Sequence, residues 1–159
     1  MKVIIVTSEA TYVKDNYLSL IETLTDQKKL PAGVEIKAMV LIKTVSAKLF
    51  CKMIALMFMG VFNLPSILIK NMISAIFNDK RKKICAERNI NVLKLSNINS
   101  PEAITAIKEL KPDLIINART RNIYKKEILK LPAIGCINVH HGILPKNRGT
   151  MCDLWAWYE

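Results

Sequence analysis

Short runs of apolar, largely β-branched residues alternate along the chain with segments in which apolar residues recur at helical spacing. The runs predict buried strands at residues 2–7, 34–42, 92–93, 113–117 and 136–140. Helical periodicity begins at about Lys14 and returns at residues 101–110, where Ser100 is suited to cap the helix. This alternation predicts an α/β fold with a mainly parallel sheet and helices on both faces. Because ligands bind at the carboxyl ends of such strands, the pattern directs attention to Asn117 and His140.

The segment 49–77 follows helical spacing but is apolar on opposite faces, since Leu56 and Met59 lie opposite the main stripe. A helix that is apolar all round is either deeply buried or in contact with lipid. Its uninterrupted apolar core, residues 53–62, is shorter than the roughly 20 residues that cross a bilayer. Lys52 and Lys70 flank this core, and residues 80–83 are all basic, which would suit peripheral contact with an anionic membrane through residues 49–83. A buried or oligomer-forming helical pair, surface attachment and a true span remain open.

The charge of the chain is strongly positive. With 24 Lys and Arg against 13 Asp and Glu in 159 residues, the formal net charge is +11. Such a field attracts polyanions such as tRNA, a nucleotide, a polyglutamate tail or an anionic membrane, although a general bias towards Lys, Ile and Asn explains it equally well. The length favours one domain. The four cysteines fit neither a zinc site nor a disulfide scaffold, and residues 1–7 do not resemble a signal peptide, so a cytoplasmic protein is expected.

Two polar residues at the end of the last predicted strand are the main candidates for chemistry. Asn138 and His140 lie two residues apart and should therefore leave the same face of the sheet. An amide can donate a hydrogen bond to a developing oxyanion, and an imidazole can move a proton near neutral pH. Polar residues at a strand end that only satisfy the structure are the alternative. No metal site is expected, because His141 points away from His140 and no third ligand is near, and nothing activates Cys136 as a nucleophile.

A longer string around this pair resembles a known family signature. The chain has Gly135-Cys-Ile-Asn138-Val-His140, then Gly142-Ile-Leu-Pro145 and Arg148-Gly149. The folate-dependent formyltransferases have Gly-x-Ile-Asn-x-His, one variable residue, Ser-Leu-Leu-Pro and a basic residue followed by Gly. Residues 111–117 and 126–132 resemble the family's run into that signature, and Trp155-Ala156 resembles its following helix. The close likeness covers residues 101–159. It implies that residues 1–159 are a Rossmann-like N-terminal formyltransferase domain, incomplete at its C-terminus, with an apolar helical insert at about 49–77.

The resemblance implies transfer of a formyl group from 10-formyltetrahydrofolate to an amine. Asn138 would hold the carbonyl oxygen, and His140 would assist proton transfer. The residues implied to border the folate are Arg121, Asn122, Ile123, Gly142, Ile143, Leu144 and Pro145. The methionyl-tRNA type, with initiator tRNA as acceptor, is preferred, and a nucleotide sugar is the close alternative. A formyltetrahydrofolate hydrolase and an inactive truncated folate-binding domain remain further alternatives.

Three departures from the family pattern matter. Gly142 replaces the family's Ser, which removes a hydroxyl and should loosen the turn. Residues 8–12 replace a glycine-bearing turn after the first strand, so recognition there should differ. The family's catalytic Asp lies on a loop beyond the positions that match Glu159, and Asp153 is too near in sequence to be taken as its substitute. The chain is therefore expected to be either a fragment of a longer enzyme or a truncated, poorly active one.

Overall fold

The computed structural model describes residues 1–44, 46–140 and 142–147, together with Cys152 and Tyr158. Its strands are β1 (Lys2–Ser8), β2 (Glu35–Ile42), β3 (Asn91–Leu95), β4 (Leu114–Ala118) and β5 (Gly135–Asn138). Its helices are α1 (Leu18–Thr25), α2 (Ala47–Phe58), α3 (Asn63–Phe77), α4 (Lys80–Glu87), α5 (Pro101–Glu109) and α6 (Lys126–Leu129). A short 3-10 helix (Lys14–Tyr17) leads into α1.

All strand pairings within the described residues are parallel, and the strand order is β3-β2-β1-β4-β5. The predicted parallel α/β sheet is therefore confirmed. From β1 the chain adds β2 and then β3 on one side of the sheet. It then crosses back and adds β4 and β5 on the other side of β1. This arrangement creates a topological switch point between β1 and β4, where open α/β sheets bind their ligands.

Side chains on β1 alternate between two cores, one on each face of the sheet. Val3 and Ile5 pack with Ile21 of α1, whereas Ile4 and Val6 pack with residues of α5 and α6. The four β1 side chains are at most 1% exposed. Because full burial of such a side chain contributes about 2 kcal/mol, this strand is the main apolar anchor of the sheet. The continuous apolar pattern of residues 2–7 follows directly from burial on both faces.

The apolar segment 49–77 forms a pair of helices, α2 and α3. Ser46 caps α2 by accepting a hydrogen bond from the backbone N–H of Leu49, at 3.2 Å. The helix ends before Gly60, whose φ of +76° is favourable only for a residue without a side chain. Pro65 lies in the first turn of α3, where its missing N–H costs nothing, so it does not mark the break. Within the described part of the chain, no helix is long and apolar enough to cross a bilayer.

In the basic run at residues 80–83, Arg81 is buried, whereas Lys80 and Lys83 are exposed. Its side chain is 1% exposed, and its Nη2 lies 2.9 Å from Oδ2 of the buried Asp79. The same guanidinium donates to the carbonyls of Ser8 and Glu9, at 2.9 and 2.7 Å. Arg81 therefore joins α4 to the carboxyl end of β1. Surface contact with a polyanion can involve Lys80 and Lys83 but not Arg81.

We expect Arg81→Ala to lower the free energy of unfolding of the full-length protein by about 3–5 kcal/mol, because removing one partner of a buried ion pair leaves the other charge uncompensated. Urea unfolding followed by circular dichroism measures the change. Lys83→Ala is the matched control, since Lys83 is exposed and its replacement should cost less than about 0.5 kcal/mol. Equal stability of the two variants would contradict the structural role of Arg81.

Candidate active site

Two asparagine side chains meet where β4 and β5 end. Nδ2 of Asn117 donates to Oδ1 of Asn138 at 2.8 Å, and Oδ1 of Asn117 accepts the backbone N–H of Thr120 at 2.9 Å. Because the Thr120 N–H must face an oxygen, this contact fixes which way the Asn117 amide points. The carbonyl oxygen of Asn138 is then occupied, and its NH2 group is the part available to a ligand. Asn138 is exposed, so it can present a hydrogen-bond donor to a developing negative charge.

His140 lies just beyond β5 and is half-buried. The predicted strand 136–140 ends at Asn138, although Val139 still donates to the carbonyl of Asn117 at 2.9 Å. Nε2 of His140 lies 2.8 Å from the backbone oxygen of Asn147. Since a carbonyl oxygen can only accept, Nε2 must bear a hydrogen, and Nδ1 is the acceptor in the neutral ring. The loop therefore sets both the tautomer and the orientation of the imidazole.

The loop after His140 is tightly closed. Asn147 is buried, its N–H donates to the carbonyl of Ile143 at 2.7 Å, and its Oδ1 accepts the N–H of Ile143 at 3.3 Å. A Cβ atom on Gly142 would lie 2.6 Å from Cβ of Asn147 and 2.7 Å from Cβ of Cys152. The expectation that Gly142 loosens this turn is therefore wrong. Glycine here permits close packing, and the family's Ser would require its neighbours to shift.

Asparagine side chains also fix the loop after β4, which contains the predicted folate-bordering residues Arg121, Asn122 and Ile123. Nδ2 of Asn122 donates to Oδ1 of Asn97 at 3.2 Å, and Nδ2 of Asn99 donates to the carbonyl of Ile123 at 2.9 Å. Oδ1 of Asn99 accepts the N–H of Lys125 at 2.8 Å. These contacts tie the loop after β4 to the loop after β3. The backbone of the predicted folate-bordering segment is thus fixed before any ligand arrives.

Several predicted cofactor residues are apolar and face solvent. The side chains of Ile123, Ile143 and Leu144 are 87%, 74% and 60% exposed, and Pro145 is exposed beside them. They belong to the loops that follow the neighbouring strands β4 and β5. Small-molecule sites are usually lined by apolar side chains with a few oriented polar groups, and these two loops carry residues of both kinds.

Two arginines connect the loops on either side of the switch point. The guanidinium carbon of Arg119 lies 5.1 Å from the ring centre of Tyr17, and that of Arg121 lies 5.4 Å from the ring centre of Tyr12. Both distances fit a cation–π contact. The side chain of Arg121 is therefore directed to the loop after β1. The next residue, Asn122, contacts the loop after β3, and Ile123 faces solvent.

The loop after β1 contains an unusual backbone. Three consecutive residues, Asp15, Asn16 and Tyr17, have left-handed φ angles of 55°, 51° and 62°. Such angles in residues other than glycine are costly unless the surroundings impose them. Nη1 of Arg81 donates to the carbonyl of Asn16 at 3.2 Å, and Nδ2 of Asn16 donates to the carbonyl of Asn71 at 3.3 Å. Buried contacts with α3 and α4 thus hold residues 15–17, which follow the segment 8–12 that was predicted to replace the family's glycine-bearing turn.

Burial raises the pKa of the Cys136 thiol, which keeps it protonated and therefore a poor nucleophile at neutral pH. Across residues 1–44, 46–140 and 142–147, with Cys152 and Tyr158, no cluster of three or more His, Cys, Asp or Glu side chains could hold a metal ion.

Some predicted residues lie outside the described part of the chain: His141, Arg148, Gly149, Asp153, Trp155 and Ala156.

The site also contains two residues, Asn117 and Asn147, to which the sequence-based prediction gave no role. Asn117 orients Asn138, and Asn147 orients His140. A signal for Asn117 does exist, because it is a lone amide at the end of an otherwise apolar run. Nothing comparable marks Asn147, which lies in a polar stretch and acts through its backbone.

Fold and site together define an α/β domain with an amide donor and an oriented imidazole at the carboxyl edge of a parallel sheet. The family model described as formyl transferase matches residues 70–159, more than half of the chain. The chain belongs to this family, and the predicted resemblance is confirmed.

Curated relatives match a little under half of the chain. The methionyl-tRNA formyltransferase of Acetivibrio thermocellus is 41% identical over 75 residues, which cover 47% of this chain and 24% of the relative. The enzyme of the same name from Clostridioides difficile is 42% identical over 75 residues, with the same two coverages. The matched region spans about a quarter of the length of these relatives.

Solved structures match nearly the whole chain at low identity. Phosphoribosylglycinamide formyltransferase from Anaplasma phagocytophilum superposes with a TM-score of 0.61 at 14% identity, covering 99% of this chain and 58% of that one. Glycinamide ribonucleotide transformylase 1 from Geobacillus kaustophilus gives 0.60 at 13% identity, covering 99% and 66%. These similarities confirm the Rossmann-like formyltransferase fold for the described chain.

Proposed function

We propose that this domain transfers a formyl group from 10-formyltetrahydrofolate to an amino group. The observation that supports this most directly is the Asn117–Asn138 hydrogen bond, which leaves the Asn138 NH2 as a donor at the strand end that precedes His140. When bound, the folate supplies the formyl carbon that the amine attacks. Asn138 then donates to the formyl oxygen as negative charge builds on it. Nδ1 of His140 accepts the proton that the amine loses and returns a proton to the departing folate nitrogen.

The residues around this pair suit a flat, partly apolar folate ring. Ile123, Ile143 and Leu144 offer exposed apolar surface. Asn99 donates a hydrogen bond to the carbonyl of Ile123, and Asn147 accepts one from the N–H of Ile143, which keeps the two loops in place. A preformed site avoids the entropy cost of ordering these loops on binding. The other predicted contacts, Asn122, Gly142 and Pro145, lie on the same two loops, and Arg121 begins the first of them.

For the acceptor, we infer initiator tRNA in preference to a nucleotide sugar. The curated relatives quoted above are named methionyl-tRNA formyltransferases, and the net charge of +11 favours phosphate contacts. Arg119 and Arg121 lie at the ligand edge of the sheet, and a guanidinium stacked on an aromatic ring can still direct N–H groups to phosphate. On this proposal residues 1–159 contain the cofactor-binding part of the enzyme.

We also infer that the reaction takes place in the cytoplasm. The four thiols, at Cys51, Cys85, Cys136 and Cys152, are free, and Cys51 is exposed. Free thiols are typical of proteins that work in a reducing compartment.

A labelled-donor experiment tests the proposed reaction. The full-length protein is incubated with 10-formyltetrahydrofolate labelled at the formyl carbon, with methionyl-tRNA, with a nucleotide amino sugar, or with neither amine. We expect the label to appear as an N-formyl group on the methionyl-tRNA. Label on the sugar would correct the acceptor only. Free formate released without any amine would show a hydrolase, and unchanged donor in all three mixtures would refute formyl transfer.

A further inference from the structure

Helices α2 and α3 each present an apolar face to solvent with the same spacing. On α2, exposed hydrophobic residues recur at i, i+4, i+7 and i+8, and they do so again on α3. We call the combined face the α2–α3 surface: Phe50, Ile54, Met57, Phe58, Met59, Val61, Phe62, Leu64, Ile69, Ile73, Ile76 and Phe77. Phe58 is 89% exposed and Phe77 is 81% exposed. Exposed apolar surface of this extent marks an interaction site rather than a chance cluster.

The opposite faces of both helices are anchored to the domain. Met53 of α2 and Leu68 of α3 pack with Ala10 in a small buried cluster. Asn71, also buried, donates through Nδ2 to the carbonyl of Thr11 at 2.8 Å. Because these inward contacts determine how each helix is rotated about its axis, the outward apolar faces are a fixed feature of the fold.

The segment that carries the α2–α3 surface has charges of one sign. Residues 36–78 contain no Asp or Glu. Lys52 and Lys70 are exposed on the two helices themselves, and Lys80 and Lys83 are exposed on the next helix, α4. A second copy of the chain would bring the same lysines and would be repelled. An anionic surface would neutralise them, and lysines at the border of an apolar face are typical of helices that lie in a lipid interface.

We propose that the α2–α3 surface docks on an anionic lipid bilayer, with the two helices lying in the plane of the headgroups. With 12 and 15 residues, both helices are shorter than the roughly 20 residues that cross a bilayer, which suits contact with one leaflet. Phe58 and Phe77 enter the acyl boundary, while Lys52 and Lys70 meet lipid phosphates. This docking is independent of the proposed formyl transfer and would bring the catalytic domain to a membrane surface.

Vesicle co-sedimentation of the full-length protein tests this proposal. The probes are phosphatidylcholine vesicles with and without about one third phosphatidylglycerol. We expect binding to the anionic vesicles, at least about tenfold weaker binding to pure phosphatidylcholine, and weakening by salt. Phe58→Ser with Phe77→Ser should reduce the binding about tenfold or more, because two exposed apolar anchors are lost. Lys52→Glu with Lys70→Glu should remove the preference for anionic lipid.

Ile134→Ser is the matched control, since Ile134 is exposed but lies outside the α2–α3 surface, and it should bind vesicles as the unmodified protein does. Circular dichroism of each variant establishes that the fold is retained. The proposal is overturned if the unmodified protein binds neither vesicle, if the Phe variant binds undiminished, or if both vesicles bind equally. Concentration-dependent dimerisation that the Phe variant abolishes, without vesicle binding, would identify a second copy as the occupant and likewise overturn it.

Discussion

Replacing His140 with Ala is expected to lower kcat for formyl transfer by about 10² or more, which is the usual effect of losing a general acid–base group. The imidazole is placed for this role by its hydrogen bond to the backbone of Asn147, which leaves Nδ1 as the acceptor. No other described side chain at this strand end is suited to replace it, since burial keeps the Cys136 thiol protonated. Steady-state transfer by the full-length protein measures the loss.

Binding of a folate analogue separates this chemical role from a structural one. The His140→Ala variant should bind the analogue nearly as well as the unmodified protein, because the apolar contacts of Ile123, Ile143 and Leu144 remain. A variant that keeps its full rate would show that His140 takes no part in the chemistry. If the variant lost both analogue binding and activity, His140 would instead have a structural role in the loop.

Asn138→Ala is expected to lower kcat by about 10²–10³, because it removes the donor that meets the developing oxyanion. A sharper test uses the neighbouring Asn117. In Asn117→Asp, a carboxylate replaces the NH2 group that now donates to Oδ1 of Asn138. The Asn138 amide must then rotate to donate its NH2 to the new carboxylate, which turns its carbonyl towards the ligand. Asn117→Asp should therefore lower kcat almost as much as Asn138→Ala, with little change in volume.

Asn91→Asp provides the matched control, since Asn91 is exposed at the amino end of β3, away from the ligand edge. It introduces the same negative charge and should leave kcat within about twofold, as exposed substitutions usually do. If Asn117→Asp were as active as Asn91→Asp, the orientation of Asn138 by Asn117 would have no catalytic meaning. If Asn138→Ala were also as active as Asn91→Asp, Asn138 would not stabilise the oxyanion.

The sequence was sufficient to predict the parallel sheet, because strands such as β1 are buried on both faces and are therefore continuously apolar. Asn138 and His140 could be selected because spacing along one strand and a family signature agree on them. The contact of Asn117 with Asn138 could not be predicted in the same way, because it depends on which strands are neighbours, and that is a property of the whole topology. The buried contacts of Arg81 were even less predictable, since the carbonyl of Ser8, to which it donates, lies 73 residues away in sequence.

The apolar segment 49–77 shows where periodicity is ambiguous. Apolar residues on every face predict a helix but not its surroundings, because both a core and a lipid surface would produce the same pattern. The structure resolves the inward and outward faces through particular contacts, those of Met53, Leu68 and Asn71. A helical pair was one of the predicted alternatives, but the position of the break at Gly60 was not predicted, since it depends on a left-handed backbone angle at one residue.

A crystal structure of the full-length protein with a non-reactive 10-formyl folate analogue tests the assignment of this site most directly. The proposal predicts the formyl oxygen within about 3 Å of Nδ2 of Asn138, which is the distance of an oxyanion donor. It also predicts that the side chains of Ile123, Ile143 and Leu144 are covered by the ligand. An analogue bound elsewhere, or an Asn138 amide that turns its oxygen to the formyl group, would contradict it.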